Sequence, residues 1–277
     1  MRRFIAAFLL AACVRGAAAT DTITWLTSDL PPFFITSGEL EGKGGGDLQT
    51  SYLAGRLSQF KHRSDRASIA RIWHEIGTKD GICTVGALRS PERDKLAIFS
   101  NRPFVVPSYR LIVDNRKLLR FRPYMTESGE VDLDRLATDP ALRGGYVFAR
   151  LHSAQINAFV DSAERRATLE KLGSTVQIFH LMHLGRLDFI FAAPYEINYY
   201  KVVSHYTEEI TTLPIKDSPR SVKGYVACSA LRDGRAVIAA VDTVLSDDGS
   251  WAAFLSPMKR WMAPADFAIT LAAKPGD

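Results

Sequence analysis

The sequence contains few cysteines and no long hydrophobic run. Only three cysteines occur among its 277 residues, and no later stretch reaches the roughly 18 uninterrupted apolar residues of a membrane span. It also lacks a basic tail, a lysine and arginine cluster interleaved with aromatics, and any G-x-S-x-G, Walker or dinucleotide motif. The sequence therefore predicts no nucleic-acid partner, no cofactor and no transmembrane segment in the mature chain.

The N-terminus has the pattern of a secretory signal. Residues 1–3 are positively charged at two positions, residues 4–14 are apolar, and alanines at 17–19 offer a cleavage site before Thr20. We therefore predict a signal peptide over residues 1–19. Residues 10–13 also resemble a lipoprotein box ending at Cys13, but this cysteine lies unusually close to the start, so soluble export is favoured.

Removal of residues 1–19 changes the charge and leaves two cysteines. Three arginines leave and no acid does, so the formal net charge falls from +5 to +2 and most of the basicity belongs to the signal. The remaining length allows one large or two modest domains. In an oxidising compartment Cys83 and Cys228 could form one disulfide or remain two buried thiols, and the sequence leaves both alternatives open.

Predicted strands and helices alternate along the chain, which favours an α/β fold with mostly parallel sheets. The predicted strands are Ile23 to Thr27, Gly81 to Leu88, Tyr109 to Val113, Tyr146 to Ala149, Thr175 to Phe179, Asp188 to Ala192 and Tyr225 to Ser229. The predicted helices are Asp47 to Gln59, Ser153 to Val160, Ala163 to Leu172, Arg235 to Leu245 and Gly249 to Trp261, with helical turns at Asp132 to Ala137 and His180 to Gly185.

One motif indicates a carboxylate-binding site. Ser90-Pro91-Glu92-Arg93 is followed by Ser100-Asn101-Arg102-Pro103-Phe104, which places an arginine between a turn and an apolar run. A guanidinium matches a carboxylate with two parallel hydrogen bonds. A solvated surface arginine is the alternative.

The order of the motifs resembles that of extracytoplasmic solute-binding proteins of family 3, the polar amino-acid receptors of ABC importers. The matching motifs, spread over nearly the whole mature chain, are Asp29 to Phe33, Gly42, Gly46-Asp47, Gly86, Ser90 to Arg93, Phe99 to Phe104, Leu142 to Gly144, Gly185 to Asp188 and Asp248 to Trp251. The resemblance implies a periplasmic monomer with a two-lobed type II periplasmic-binding fold, two crossing strands between the lobes, and closure by a hinge. Lobe one would comprise residues 20–108 and 222–277, and lobe two residues 109–221.

The resemblance also implies a ligand site at the strand ends facing the cleft. Arg93 would hold the ligand carboxylate and the Gly86 carbonyl would approach an amino group. Asp29, Leu30 and Phe33 would lie at the cleft edge, with Leu30 in place of a frequent aromatic wall.

Two positions depart from the family pattern. Leu88 stands where a serine or threonine usually contacts the ligand, and Ala193 stands where an acid usually neutralises the ligand ammonium. An unpaired ammonium in a closed cleft costs several kcal/mol, which argues against an ordinary α-amino acid.

A loop in lobe two supplies further candidates. Arg150, His152 and Ser153 lie between a predicted strand and helix, where Arg150 could act as a second cation and favour a dianion, or a carboxylate without an amine. The alternative is a rim arginine in water. Tyr195 could line the cleft or belong to the core.

Three functions remain open at this stage. The favoured one is a non-enzymatic receptor for an ABC importer, and the second is a sensor or interaction module of the same fold. The third is a dehydratase-like enzyme in which Glu196 or Asp29 acts as the acid. His180 and His183 have helical spacing but no third ligand nearby, so no metal site is predicted.

Overall fold

The computed structural model describes residues 22–163, 168–204 and 209–274. The predicted signal peptide, the lipoprotein alternative at Cys13 and the predicted mature start at Thr20 lie outside these residues. The strands are β1 (Thr22–Thr27), β2 (Lys61–Arg66), β3 (Ile82–Leu88), β4 (Ala97–Phe99), β5 (Phe104–Pro107), β6 (Arg110–Asp114), β7 (Gly144–Val147), β8 (Leu169–Leu172), β9 (Phe189–Ala192), β10 (Ile210–Leu213) and β11 (Ser221–Ser229). The α-helices are α1 (Gly45–Arg56), α2 (Ile69–Thr78), α3 (Leu133–Leu136), α4 (Ala154–Ala163), α5 (Thr175–His183), α6 (Pro194–Ser204), α7 (Gly234–Leu245), α8 (Asp248–Leu255) and α9 (Pro264–Ala272).

The first sheet combines strands from both ends of the chain. Its order is β2-β1-β3-β11-β4, with β5 also paired to β11. Strand β1 is parallel to β2 and β3, whereas β11 is antiparallel to all its neighbours. Cys83 and Cys228 are directly opposite each other on β3 and β11 and form a disulfide, so the first of the two cysteine alternatives applies.

The second sheet has the order β10-β6-β9-β7-β8. Strand β7 is parallel to β8 and β9, and β6 is antiparallel to β9 and β10. Both sheets are therefore mixed, which corrects the prediction of mostly parallel sheets. The cause is that β6 and β11 enter their sheets directly from the other sheet, without the helical crossover that makes neighbouring strands parallel.

Two adjacent connections join the sheets. The chain leaves the first sheet after β5 and returns to it at β11, where Pro107 pairs with Ser221 and the Ser108 amide donates to the Arg220 carbonyl at 3.0 Å. The two crossings thus run side by side, and each sheet with its helices forms one lobe of a two-lobed α/β structure. In the described ranges no helix has both the length and the hydrophobicity of a membrane span.

The segment before β9 differs from the prediction. The predicted helix Ala163 to Leu172 ends in strand β8, which pairs in parallel with β7, and its residues 164–167 lie outside the described ranges. The predicted strand Thr175 to Phe179 is the start of α5, where the Ser174 hydroxyl accepts from the Gln177 amide at 3.3 Å. Its β-branched residues imitate a strand, but an N-cap and one buried helical face favour the helix.

Candidate functional site

A cavity lies between the two sheets, at the edge where β1 and β3 end. Its volume is about 80 Å³, enough for several water molecules or a small solute. Parallel strands of an open α/β sheet present their carboxyl ends and the following loops at one edge, which is the usual position of a ligand site. The lining residues are Ser28, Leu30, Phe33, Phe34, Ile69, Ile72, Trp73, Thr84, Val85, Gly86, Ala87, Leu88, Arg93, Tyr109, Arg150 and Leu151.

Arg93 is held against the cavity wall by two neighbours. Its guanidinium lies 4.0 Å above the ring of Trp73, and Nη1 donates to the carbonyl of Leu88 at 2.9 Å. Burial lowers the pKa of Arg93 to about 10, while the nearby Tyr109 acts in the opposite direction, so the group is cationic at neutral pH. No carboxylate in the described part of the chain forms an ion pair with it. Arg93 is therefore a positioned, partly desolvated cation.

A β-bulge at Gly86 shapes another part of the cavity wall. The register between β3 and β11 shifts at this point, so that Val85 and Ala87 have partners and Gly86 does not. Gly86 has a φ of +81°, and a Cβ there would come within 2.4 Å of the Phe33 ring. The bulge requires glycine, because only glycine combines this conformation with the close approach of Phe33.

Arg150 reaches the cavity from the second sheet but has an acid partner. Its Nη2 lies 2.7 Å from Glu196 Oε1, its Nε donates to the Tyr109 hydroxyl at 2.8 Å, and its Nη1 donates to the Thr175 hydroxyl at 3.3 Å. Burial opposes its charge, but Glu196 and Tyr109 outweigh this effect and keep the pKa of Arg150 above its usual value. Arg150 therefore lines the cavity and is not a rim arginine in water, but Glu196 already balances its charge, so it does not favour a dianion as expected.

His152 and Ser153 lie behind the cavity rather than on its wall. His152 is buried edge-on against the Tyr109 ring, with the ring centroids 4.7 Å apart. Burial, supported by the charge of Arg150, lowers the pKa of His152 to about 3. The Ser153 hydroxyl accepts from the Ile156 amide at 3.4 Å and so begins α4.

Of the other predicted site residues, some line the cavity and the rest lie outside it. Leu30 and Leu88 line the cavity together with Phe33, Gly86 and Arg93, so the structure brings these five together. Asp29 lies in an adjoining opening, where it is exposed and accepts from the Thr36 hydroxyl at 2.9 Å. Ala193 and Tyr195 are buried and do not line the cavity.

Sequence reasoning missed the helix that forms one side of the cavity. Ile69, Ile72 and Trp73 come from α2, which the Ser68 hydroxyl caps by accepting from the Arg71 amide at 3.3 Å. The apolar spacing at 69, 72 and 76 after a serine is a helix signal that could have identified this element.

The described residues show neither a metal centre nor an acid within the cavity. No group of three or more His, Cys, Asp or Glu side chains is placed to hold a metal ion in these ranges, and His180 is exposed. Of the two acids considered for an enzyme, Asp29 lies outside the cavity and Glu196 is paired with Arg150.

Solved structures with the same architecture include amino-acid and arginine binding proteins and a periplasmic domain of another protein. An amino acid ABC transporter substrate-binding protein from Streptococcus pneumoniae, bound to L-arginine, is 14% identical over 92% of this chain and 95% of that chain, with a TM-score of 0.61. An arginine 3rd transport system periplasmic binding protein from Legionella pneumophila is 13% identical over 87% of this chain and 99% of that chain, with a TM-score of 0.62. The periplasmic VFT2 domain of Bordetella pertussis BvgS is 13% identical over 88% of this chain and 94% of that chain, with a TM-score of 0.59.

These likenesses establish the fold. No protein-family model matches the sequence, and no curated protein matches it either. The two-lobed fold class expected from the motif order is confirmed, with mixed sheets in place of mostly parallel ones.

Proposed function

We propose that this chain, which has the two-lobed fold of periplasmic substrate-binding proteins, binds a small carboxylate-bearing solute in the cleft for an ABC importer. The observation that carries the proposal is Arg93, a partly desolvated guanidinium on the cavity wall. Two of the solved structures with this fold are named as binding proteins of amino-acid or arginine transport.

Desolvation explains why Arg93 suits a ligand. Removing a charge from water is costly unless an opposite charge or several hydrogen bonds replace the water. Arg93 has the Trp73 ring below it and one carbonyl as acceptor, so most of its donors remain for a ligand. A carboxylate would complete its partners with a bidentate contact.

The remaining parts of the proposal follow from the fold and the N-terminus. The predicted export signal at residues 1–19 would direct the mature chain to the periplasm, where a permease would receive the ligand. Lobe one would comprise residues 20–108 and 222–277, and lobe two residues 109–221. Ligand contacts to both lobes would favour the closed arrangement of a monomer.

Removing the guanidinium tests the proposal. A thermal-shift screen of residues 20–277 against amino acids, monocarboxylates, dicarboxylates, keto acids and amines identifies a ligand, because a ligand of the folded state raises the Tm. We expect Arg93→Ala to weaken binding of that ligand by about ten- to a hundred-fold without loss of folding. Arg89→Ala is the matched control, since Arg89 pairs with Asp94 outside the cavity. Equal affinities of wild type and Arg93→Ala would contradict the role of Arg93.

A sensor or interaction module of the same fold is the second candidate. The likeness to the periplasmic VFT2 domain of BvgS favours it, because that structure is named as a domain and not as a transport protein. Uptake of the identified ligand, measured with an ABC permease and its ATPase in the presence and absence of this chain, separates the two functions. Uptake that depends on this chain supports the importer, whereas ligand binding without uptake supports the sensor.

A further inference from the structure

The cavity has an excess of one positive charge. Arg93 and Arg150 both line it, and no aspartate or glutamate does so among the described residues. The charge of Arg150 is balanced by Glu196 at 2.7 Å. One carboxylate on a ligand would therefore balance the remaining charge of Arg93, and any additional charge would be uncompensated.

Neither nearby acid is placed to hold a ligand ammonium. Glu196 is buried, with Oε1 beside Arg150 and Oε2 accepting from the Ala193 amide at 2.7 Å. Asp29 is exposed in the adjoining opening and accepts from the Thr36 hydroxyl. An ammonium in the cavity would thus lose its water without gaining an anion.

The aromatic faces of the cavity are also occupied. An ammonium can bind to an aromatic face, but the Trp73 ring has Arg93 at 4.0 Å and a stacked Phe99. The Tyr109 ring has Arg150 at 4.4 Å and His152 packed against it. Cation–π binding therefore does not replace the missing acid.

Most of the Phe33 ring is likewise covered by protein, although it forms part of the cavity wall. Cβ atoms built on Gly46 and Gly86 would lie 2.5 and 2.4 Å from it, so the ring packs directly on these two backbones. Its other neighbours are Phe34 and Phe104, whose ring centroids lie 4.8 and 6.1 Å away.

Most of the remaining wall is hydrocarbon. Leu30, Ile69, Ile72, Leu88 and Leu151 contribute apolar side chains from both lobes. An apolar ligand surface gains free energy when it leaves water for such a wall, whereas a polar one needs new hydrogen bonds.

We infer that the ligand is a small monocarboxylate with an apolar remainder and no ammonium group. This inference rests on the proposed function, because it assumes that the cavity is the ligand site. Arg93 binds the carboxylate, the leucine and isoleucine side chains contact the hydrocarbon part, and the Arg150–Glu196 pair contributes no net charge. A dicarboxylate is disfavoured for the same reason as an amino acid, since its second charge has no partner.

The test compares ligands that share a hydrocarbon part and differ in their charged groups. Isothermal titration of residues 20–277 with 4-methylpentanoate, leucine and 3-methylbutylamine varies the two charged groups separately. A second series uses 3-phenylpropanoate, phenylalanine and 2-phenylethylamine, and a third compares hexanoate with adipate. We expect a monocarboxylate to bind at least roughly ten-fold more tightly than its amino acid or dicarboxylate counterpart, and the amines not to bind.

The outcomes separate this inference from the proposed function. Arg93→Gln should weaken carboxylate binding by about ten- to a hundred-fold, and Arg89→Gln should preserve it. An amino acid or dicarboxylate that binds as tightly as its monocarboxylate, and still depends on Arg93, overturns the inference and leaves the receptor function intact. Absence of binding to any carboxylate in the three series, with the protein shown to be folded, overturns both.

Discussion

At the scale of single residues, the loop between β7 and α4 places two side chains of opposite behaviour next to each other. Arg150 remains charged because Glu196 compensates it, whereas His152 remains neutral because it is buried beside that arginine. A buried cation needs a partner, and a buried histidine avoids the need by losing its proton. The loop therefore has a defined protonation state at neutral pH.

His152 should make folding stability depend on pH. Its pKa is about 3 in the folded protein and about 6.5 in an unfolded chain, so the unfolded state binds more protons between these values. The contribution is fully present above pH 6.5 and decreases as the pH falls towards 3. We expect a loss of about 2 kcal/mol between pH 7 and pH 5 from this group.

Chemical denaturation at pH 7 and pH 5 measures this effect. Between pH 7 and pH 5, the free energy of unfolding should fall by about 2 kcal/mol less in His152→Gln than in wild type. His180→Gln is the matched control, because it removes a histidine that is exposed on α5. Equal pH dependence in wild type and His152→Gln would show that His152 is accessible to protons in the folded state.

At the scale of elements, the bulge in β3 fixes part of the cavity wall, because Gly86 packs directly against the Phe33 ring. Gly86 and Gly42 both have positive φ, of +81° and +69°. A Cβ at Gly42 would have no atom within 4 Å, but one at Gly86 would be 2.4 Å from the Phe33 ring. We expect Gly42→Ala to cost about 1 kcal/mol through its backbone alone. Gly86→Ala should cost roughly 1–3 kcal/mol more because Phe33 must move.

Urea unfolding of the two variants measures the difference, and ligand titration provides a second readout. Because Phe33 forms part of the cavity wall, Gly86→Ala should also weaken ligand binding, and Gly42→Ala should not. Equal stability losses would mean that the bulge relaxes around a methyl group at no cost.

The strands and helices differ in how far their own sequences predict them. Apolar strands such as β1, β3 and β9 carry their own signal, and the arginine motif after β3 pointed to Arg93. In contrast, β2 has the sequence KHRSDR and is recognisable only through its pairing with β1. Similarly, the partner of Arg150 is 46 residues away in α6, a contact that depends on the fold and not on local pattern. The sequence therefore predicted the part of the site on the first sheet, including Arg93. On the second sheet it predicted Arg150 but not the partner of Arg150.

At the scale of the whole molecule, lobe two is an insertion between two paired strands. Pro107 and Ser221 are paired on β5 and β11, so the chain leaves and returns at neighbouring points. Strand β6 is an interior strand of the inserted sheet, because it pairs with both β9 and β10. The helix α6 packs against the other lobe, with Tyr199 edge-on to Trp261 and Asn198 donating to the Trp261 carbonyl at 2.8 Å.

We expect residues 109–221 to fold when expressed alone, at lower stability than in the full chain. The segment retains the strands β6 to β10 with their common core, and it loses only the contacts to the other lobe, such as those of α6 with Trp261. A segment of residues 115–221 is the matched control, because it lacks β6 and so separates β10 from β9. Circular dichroism during urea unfolding should show a cooperative transition for the first segment and none for the second. An unfolded 109–221 segment would mean that the two lobes share one cooperative core, so the boundaries at 108/109 and 221/222 would separate sheets and not independent folding units.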